Sequence, residues 1–505
     1  MAGYSGQEEL DNLVWDKNDQ DADAARQEMR LKTFCRKVEK LAQDKLGKPA
    51  KLVSPLLFGG FNIVYRVRLE GMSPDVLVRL PCPSLVQFPR EKTLQEAATA
   101  AVVSKRTGLP IPRHLCYEED STVGPYVLME HRENRGSISA RLTRRSQDPS
   151  EPHVLDPDVP ESTLQGIWGR VAACLLQLSQ LTFPRIGSLL ETSPGTFEVA
   201  GRPLTHNMTD MVRLANIPRC ILPPKDKTYG TADEWYTALA EMHIAQLLFQ
   251  HNDLVTCEDD CRNKYVARQI FRRLASQGRL STFGFAQDTW SAQSSKIPPE
   301  TLSPAPESSG SFRLWGDDFR AGNILLTETD EIAALIDWEY TYIGPAQFIL
   351  DPPWWLLLET AEMWSSGLDD WKRTYELRLR TWLSAMEQAE FNDSVSNADS
   401  LPVPLSRYMR ESWQTGRFFL SYAARKSWAF DAMYWNFLDE RFFGERSNDV
   451  ASEHRWKTRV DLLTEKEREA MEPFVKRKMA DSKERCIVDW DPEEARQRFS
   501  EVIFD

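Results

Sequence analysis

The sequence has no apolar run long enough to cross a bilayer. Its most apolar stretches, such as residues 354–358, are only a few residues long, whereas a membrane-spanning helix needs about 20. The amino-terminal region carries acidic residues from Glu8 to Asp23 against a single basic residue, Lys17. Neither a secretory signal nor a mitochondrial presequence has that composition. The sequence therefore predicts a soluble, cytoplasmic protein without a membrane partner.

Positive charge and clustered cysteine are also lacking. The formal net charge is -13, so the chain is short of the Lys and Arg that displace counterions from a nucleic acid backbone. Of the eight cysteines only Cys257 and Cys261 are close in sequence, and the nearest histidine, His251, stands alone. This distribution is typical of a reducing compartment and does not match a zinc site. We expect no nucleic acid partner.

What is present is a globular composition, with 41% hydrophobic residues in 505. The pattern along the chain predicts four parts. Residues 1–30 form an acidic arm, either mobile or a peripheral helix; residues 31–135 form a small β-rich lobe. Residues 136–440 form a large helical lobe with insertions, and residues 441–505 form a charged helical tail. In the small lobe, two strands meet at a glycine turn, Gly59 and Gly60, and a third strand precedes a helix at residues 90–106.

The chemistry is concentrated in residues 312–339. A first apolar strand ends in Asp317 and Asp318, with Asn323 five positions after Asp318, and a second ends fourteen residues later in Asp337. Carboxylates and a carboxamide are oxygen ligands that suit Mg²⁺. Asp, Asn and Gly also shape ordinary loops, so the segment alone leaves a structural role open. The spacing favours function, because protein kinases arrange their catalytic aspartate, metal-binding amide and metal-binding aspartate in this way.

The sequence resembles the aminoglycoside phosphotransferase, or phosphotransferase enzyme, family, and in particular its fungal branch. The matching segments run in order through residues 59–67, 78–81, 96–98, 109–112, 127–130, 315–326 and 336–339. The resemblance implies an α+β, two-lobed protein-kinase-like fold, with a small antiparallel β-rich N-lobe and a large mainly helical C-lobe. It also implies an ATP- and Mg²⁺-dependent transfer of phosphate to a hydroxyl group of a small molecule, whose identity the sequence leaves open.

Site residues follow from the resemblance position by position. It implies that Asp318 is the catalytic aspartate and that Asn323 and Asp337 bind the metal. The expected nucleotide-binding residues are those of the glycine turn, the strand and helix after it, and the link between the lobes: Gly59, Gly60, Phe61, Asn62, Arg79, Glu96 and Glu130. Arg79 would stand for the usual lysine and pair with Glu96, although an ordinary surface ion pair is the alternative.

The sequence departs from the family pattern where a histidine normally braces the catalytic loop, because it reads Gly316-Asp317-Asp318 there. Trp315 is expected to support the loop sterically. Glu339 also replaces the third residue of the Asp-Phe-Gly pattern. The departures keep open a catalytically weak or inactive pseudokinase that acts as a binding or scaffold protein, whereas a protein kinase is disfavoured because no Ala-Pro-Glu segment follows Asp337.

Overall fold

The computed structural model describes residues 10–144, 153–393, 401–446 and 450–504. The start of the predicted arm, residues 1–9, lies outside the described residues. The amino-terminal lobe is built on an antiparallel sheet of five strands in the order β1-β2-β3-β5-β4. The strands of this sheet are β1 (Ala50–Phe58), β2 (Asn62–Leu69), β3 (Val76–Pro81), β4 (His114–Glu118) and β5 (Tyr126–Glu130).

Two features shape this sheet: buried and exposed residues alternate along its strands, and one tight turn joins β1 to β2. Along β2 the buried residues Tyr65 and Val67 alternate with more exposed ones, as expected for a strand with one face on a core. Between β1 and β2 the Gly59 N–H donates to the Asn62 carbonyl at 2.8 Å. Helix α2 (Lys32–Leu46) covers the buried face with Val38, and α3 (Pro89–Arg106) follows β3.

The acidic amino-terminal segment is a helix, α1 (Asn12–Arg30), and not a mobile arm over these residues. Its buried N-cap, Asp11, accepts a hydrogen bond from Asn252 of the large lobe at 2.9 Å. At its other end the Met29 carbonyl accepts one from the Tyr65 hydroxyl at 2.7 Å. Helix α1 therefore contacts both lobes. Sequence reasoning did not anticipate this bridging.

The large lobe is mainly helical. Its helices are α4 (Ile138–Leu142), α5 (Glu161–Ser179), α6 (His206–Ala215), α7 (Ala232–Phe249), α8 (Glu258–Ser276), α9 (Ala346–Ile349), α10 (Leu368–Asn392), α11 (Leu405–Thr415), α12 (Arg417–Arg425), α13 (Phe430–Met433), α14 (Asp439–Phe443), α15 (Glu465–Asp481) and α16 (Pro492–Ser500). Four large aromatic side chains, Trp168, Trp235, Trp371 and Trp382, are fully buried in its core. Within the described ranges, no helix has the length and apolar character needed to span a membrane.

Short strands in the large lobe position the functional residues. They are β6 (Gly136–Ser137), β7 (Thr182–Phe183), β8 (Ser188–Ser193), β9 (Thr196–Gly201), β10 (Phe312–Gly316), β11 (Ile324–Leu326), β12 (Ile332–Leu335) and β13 (Thr341–Gly344). One sheet has the order β13-β10-β7 and another β12-β11-β6. Asp318 and Asn323 lie between β10 and β11, and Asp337 lies between β12 and β13. The predicted α+β, two-lobed, kinase-like fold is confirmed.

Candidate active site

The catalytic loop holds Asp318 by hydrogen bonds from its own residues. The Asn323 side-chain amide donates to the Asp318 carboxylate at 2.9 Å and to the Asp318 carbonyl at 2.8 Å. The Arg320 guanidinium donates to the other carboxylate oxygen at 2.6 Å. Next to it, the Ile336 N–H donates to the Asn323 carbonyl at 3.0 Å and ties this loop to the one that carries Asp337. The five-residue spacing thus places Asp318 and Asn323 in contact.

Asp337 is held in an unusual backbone conformation. Its φ is 65°, in the left-handed region that residues with a side chain rarely adopt and that often marks a functional site. Its carboxylate lies beside two others: oxygen atoms of Asp318, Asp337 and Glu339 lie within 4.8 Å of one another. The structure therefore brings the predicted catalytic and metal-binding carboxylates together.

Arg79 joins the small lobe to this group. Its guanidinium donates to Glu96 of α3 and to Asp337, and lies 3.2 Å from a Glu339 carboxylate oxygen. Burial alone would lower the pKa of Arg79, but the carboxylates of Asp337, Glu96 and Glu339 raise it above its usual value. The Arg79–Glu96 pair is buried, so it is not the surface ion pair that the sequence left as the alternative.

Glu339 has its own partners. The ammonium group of Lys92 contacts Glu339 and donates to the Asn62 side-chain oxygen at 2.7 Å, and Asn62 in turn donates to Glu339 at 3.0 Å. Lys92 and Glu339 are both almost fully buried. Sequence reasoning missed Lys92, although its position four residues before Glu96 on one helix was an available signal.

The charges of this cluster suit a divalent cation. Burial raises the pKa of Asp337 well above its usual value, and the Glu339 and Asp318 carboxylates act in the same direction against Arg79. Burial would also raise the pKa of Glu339, but Lys92 and Arg79 lower it to about 2. Of these two carboxylates, Asp337 is therefore the one whose negative charge is less well compensated. Its oxygen, with that of Asp318 and the amide oxygen of Asn323, is a donor set that fits Mg²⁺.

Asp317 fixes the base of the catalytic loop in place of the missing histidine. Its carboxylate accepts hydrogen bonds from the Trp315 indole at 2.8 Å and from the backbone N–H of His206 at 3.2 Å, and Arg425 lies 3.7 Å away. The expected steric support by Trp315 is thus a hydrogen bond. His206, at the start of α6, pairs with Asp210 at 3.1 Å. Nothing in the local sequence pointed to His206.

The glycine turn lies over the same region. The Phe61 ring packs edge-on against His206 and Tyr340, with ring centroids 5.2 and 5.3 Å apart. A side chain added at Gly60 would meet no atom within 4 Å, so the turn is open above this residue.

Glu130, in contrast, ends β5 away from the carboxylate cluster, 4.0 Å from Arg113 and 3.9 Å from Arg132.

Other polar residues have structural partners. His243 is fully buried and contacts the Ala424 carbonyl at 3.1 Å, as expected for a core histidine. Asp253 accepts hydrogen bonds from Arg485, and Asp259 accepts from Arg262 and Trp456. These acidic residues hold the carboxyl-terminal segments against the large lobe.

The comparisons with known proteins agree with this geometry. A model described as the phosphotransferase enzyme family, APH, matches residues 55–386, well over half of the chain. The chain belongs to this family. The predicted resemblance is confirmed at this level, and the fungal branch stays a prediction. No curated protein matches the chain.

Solved structures with similar folds are phosphotransferases. The structure of macrolide 2'-phosphotransferase type I shares 12% sequence identity with this chain. The match covers 82% of this chain and 96% of that chain, with a TM-score of 0.37. A thermostable mutant of aminoglycoside phosphotransferase APH(4)-Ia, in a ternary complex with AMP-PNP and hygromycin B, is 14% identical; the match covers 79% of this chain and 99% of that chain, with a TM-score of 0.38.

Proposed function

We propose that this member of the phosphotransferase enzyme family is a cytoplasmic small-molecule kinase that uses ATP and Mg²⁺ to phosphorylate a hydroxyl group. The observation that carries the proposal is the convergence of Asp318, Asn323 and Asp337 with the buried Arg79–Glu96 pair. These residues come from separate elements of both lobes. The division into an arm, an N-lobe, a C-lobe and a tail, with boundaries at residues 30, 135 and 440, is part of the proposal.

Each residue has a role that its position supports. Asp318 orients the acceptor hydroxyl and takes its proton, while Asn323 keeps the Asp318 carboxylate in place and offers its amide oxygen to the metal with Asp337. Asn323 and Asp337 would hold a bound Mg²⁺, whose charge would neutralise that of the phosphates during transfer. Arg79, fixed by Glu96, presents a guanidinium that can engage phosphate oxygens.

The remaining nucleotide contacts come from the backbone. In the turn, the N–H groups of Gly60 and Phe61 are offered to phosphates, while the Gly59 N–H donates to the Asn62 carbonyl and shapes the turn. The side chain of Asn62 is committed to Lys92 and Glu339. At the link between the lobes, the Glu130 and His131 N–H groups donate to the carbonyls of Arg113 and Asp75. Contacts to the adenine therefore fall to the backbone after His131.

A pseudokinase or scaffold is the second candidate. It is favoured by the cations that already occupy both key carboxylates, because Arg320 contacts Asp318 and Arg79 contacts Asp337. A chain that had lost catalysis could keep these pairs as permanent structural contacts. The two candidates differ in whether Mg²⁺ and nucleotide bind at Asp337.

A thermal shift measurement with ATP, with and without Mg²⁺, separates them. We expect stabilisation that requires Mg²⁺ and disappears in Asp337→Asn. Asp330→Asn is a matched control, because Asp330 also has a left-handed backbone, the same 23% side-chain exposure and arginine partners, but lies outside the cluster. No stabilisation of the wild type at millimolar nucleotide would favour the scaffold.

A further inference from the structure

His206 lies where three functional segments of the protein meet. Its backbone N–H donates to Asp317 of the catalytic loop at 3.2 Å. Its ring packs edge-on against Phe61 of the glycine turn and Tyr340 of the segment that follows Asp337, with ring centroids 5.2 and 5.3 Å away. The centroids of the Phe61 and Tyr340 rings are themselves 5.3 Å apart, so the three rings form an aromatic triad. One side chain of α6 thus contacts both a turn of the small lobe and the metal-binding segment of the large lobe.

The start of α6 gives this triad a fixed base. The helix begins at His206 after a buried N-cap, Thr205, whose hydroxyl accepts a hydrogen bond from the Met208 N–H at 3.1 Å. The N-cap and the bond to Asp317 together hold the first turn of the helix in place. The ring is oriented by Asp210, one helical turn further on, whose carboxylate lies 3.1 Å from the imidazole Nδ1. His206 therefore presents its ring in one orientation.

Asp210 joins His206 to a second cation on the same face of α6. Arg213 lies 3.4 Å from the Asp210 carboxylate, and its guanidinium lies 5.7 Å from the centroid of the Phe61 ring. Positions 206, 210 and 213 follow the i, i+4, i+7 spacing that places side chains on one face of a helix. Burial would lower the pKa of His206 and raise that of Asp210, but their mutual attraction shifts both in the opposite direction. The pair therefore favours its charged forms, and this face of α6 forms a polar rim beside the Phe61 ring.

The glycine turn is attached to α6 through Phe61. Gly59 and Gly60 carry no side chain, and two consecutive glycines leave the backbone with wide conformational freedom. The Phe61 ring also packs against a small cluster formed by α1 and the residues that follow β3: Ala22, Cys82 and Leu85. Phe61 therefore fixes the turn to both lobes, and its contact on the large lobe is the ring of His206 together with that of Tyr340.

We propose that His206 is a positioning residue for phosphate transfer: by holding Phe61 and Tyr340 on α6, it sets the distance between the glycine turn and the metal-binding segment. The proposal rests on the proposed function, in which the Gly60 and Phe61 N–H groups meet the phosphates. A turn that is already docked loses little conformational freedom when nucleotide binds, so its affinity for nucleotide is higher than that of a free turn. Docking also aligns the phosphate to be transferred with Asp318. His206 acts through the turn and makes no contact with the nucleotide in this role.

The test measures the Kd of the full chain for the Mg²⁺ complex of AMP-PNP, a non-hydrolysable analogue of ATP, by isothermal titration calorimetry. His206→Ala and Phe61→Ala should each raise this Kd about tenfold, because the turn must then be ordered on binding. The double variant should also show a rise of about tenfold, because either single change already breaks the same contact. A rise of about a hundredfold in the double variant would mean that the two residues act independently, and it would overturn the proposal.

A conservative variant separates positioning by the ring from a general effect on the fold. His206→Phe keeps an aromatic ring for Phe61 and Tyr340 and should bring the Kd back to within about threefold of the wild type. His454→Ala is the matched control, because His454 also pairs with an aspartate, Asp259 at 3.3 Å, and its side chain is 38% exposed against 35% for His206. The Kd of this control should stay within about twofold of the wild type, since His454 contacts no part of the triad.

The outcomes distinguish this proposal from the proposed function. Phe61→Ala tests the contact from the small lobe, so an unchanged Kd in that variant overturns the role of His206 even if His206→Ala does not fold. The proposed function stands in that case, because the wild type still binds nucleotide. If the wild type does not bind the Mg²⁺ complex of AMP-PNP, both are overturned.

Discussion

The two sides of the catalytic loop are built in different ways. On the phosphate side, the side chains of Arg79, Lys92, Glu96 and Glu339 are at most 8% exposed and are paired with one another. On the other side, a cavity of about 220 Å³ is lined by Asp317 of the loop, Trp15 of α1, His206 of α6 and Lys426, which follows α12. The buried charge network holds its groups in one arrangement, whereas a cavity lined by side chains from several elements can change its lining without disturbing that network.

This contrast also separates catalysis from stability. In the buried charge cluster, burial raises the pKa of Asp337 well above its usual value even though Arg79 contacts it, so its negative charge is costly without a further cation. The cavity wall, in contrast, is held by helix packing and capping at Asp11. Some variants should therefore change turnover, and others should change the free energy of unfolding.

The largest effect is expected on turnover from Asp318→Asn, which removes the carboxylate that orients the hydroxyl. ATP turnover should fall about 10²–10⁴-fold, the usual contribution of a positioned general base. The melting temperature should fall only slightly, because the new amide oxygen can still accept from Asn323, and its NH2 group loses only the contact with the half-exposed Arg320. Turnover within threefold of the wild type would show that Asp318 is not the catalytic group.

Lys92→Met tests the paired side through stability. It leaves the Glu339 carboxylate buried without its ammonium partner, and breaking a buried pair costs about 3–5 kcal/mol. Urea denaturation should report that loss in the free energy of unfolding. The control is Lys17→Met, which breaks an exposed pair with Asp21 worth about 0–1 kcal/mol. Equal losses in the free energy of unfolding for the two variants would mean that the pair of Lys92 and Glu339 does not stabilise the fold.

Asp11→Ala tests the anchor of the cavity wall. It removes the N-cap acceptor of α1 and the partner of Asn252, so we expect a loss of about 2 kcal/mol in the free energy of unfolding. The KM for ATP should be unchanged, since the phosphate side is untouched. Asp16→Ala, an exposed position on the same helix, provides the baseline. A change in the ATP KM alone would argue that α1 acts on the other side of the loop.

The smallest effect is expected on the pH dependence of the free energy of unfolding, through the buried side chain of His243. Burial, with Arg268, lowers the pKa of His243 to about 3 from an ordinary value of 6.5, and this side chain contacts the carbonyl of Ala424, next to Arg425. Below pH 6.5 the unfolded chain binds a proton that the folded chain excludes until about pH 3. The free energy of unfolding therefore keeps its full value above pH 6.5 and decreases as the pH falls below 6.5.

Between pH 6.5 and 5.5 this loss should approach about 1 kcal/mol, and His243→Gln should abolish that part of the slope. Urea denaturation of both proteins at the two pH values gives the measurement. Identical slopes would mean that His243 is protonated in the folded protein or does not titrate in the window.

The parts of this protein whose geometry is local could be predicted from the order of its residues. The glycine turn, the α3 helix, and the Asp318, Asn323 and Asp337 spacing are set by residues close in the chain, and the structure places Arg79 against Glu96 as strand-then-helix order suggested. A histidine missing from the catalytic loop was also visible. The roles of these residues in binding and catalysis stay predictions.

Contacts between distant segments, in contrast, arise from the packing of whole elements. Asp317 meets His206 across 111 positions, Asn62 meets Glu339 across 277, and Asp11 meets Asn252 across 241. Periodicity and motif spacing carry no information on such pairs, because they depend on how whole helices pack. For the same reason the sequence predicted the phosphate side of this protein and gave no sign that its amino-terminal helix lines the cavity opposite.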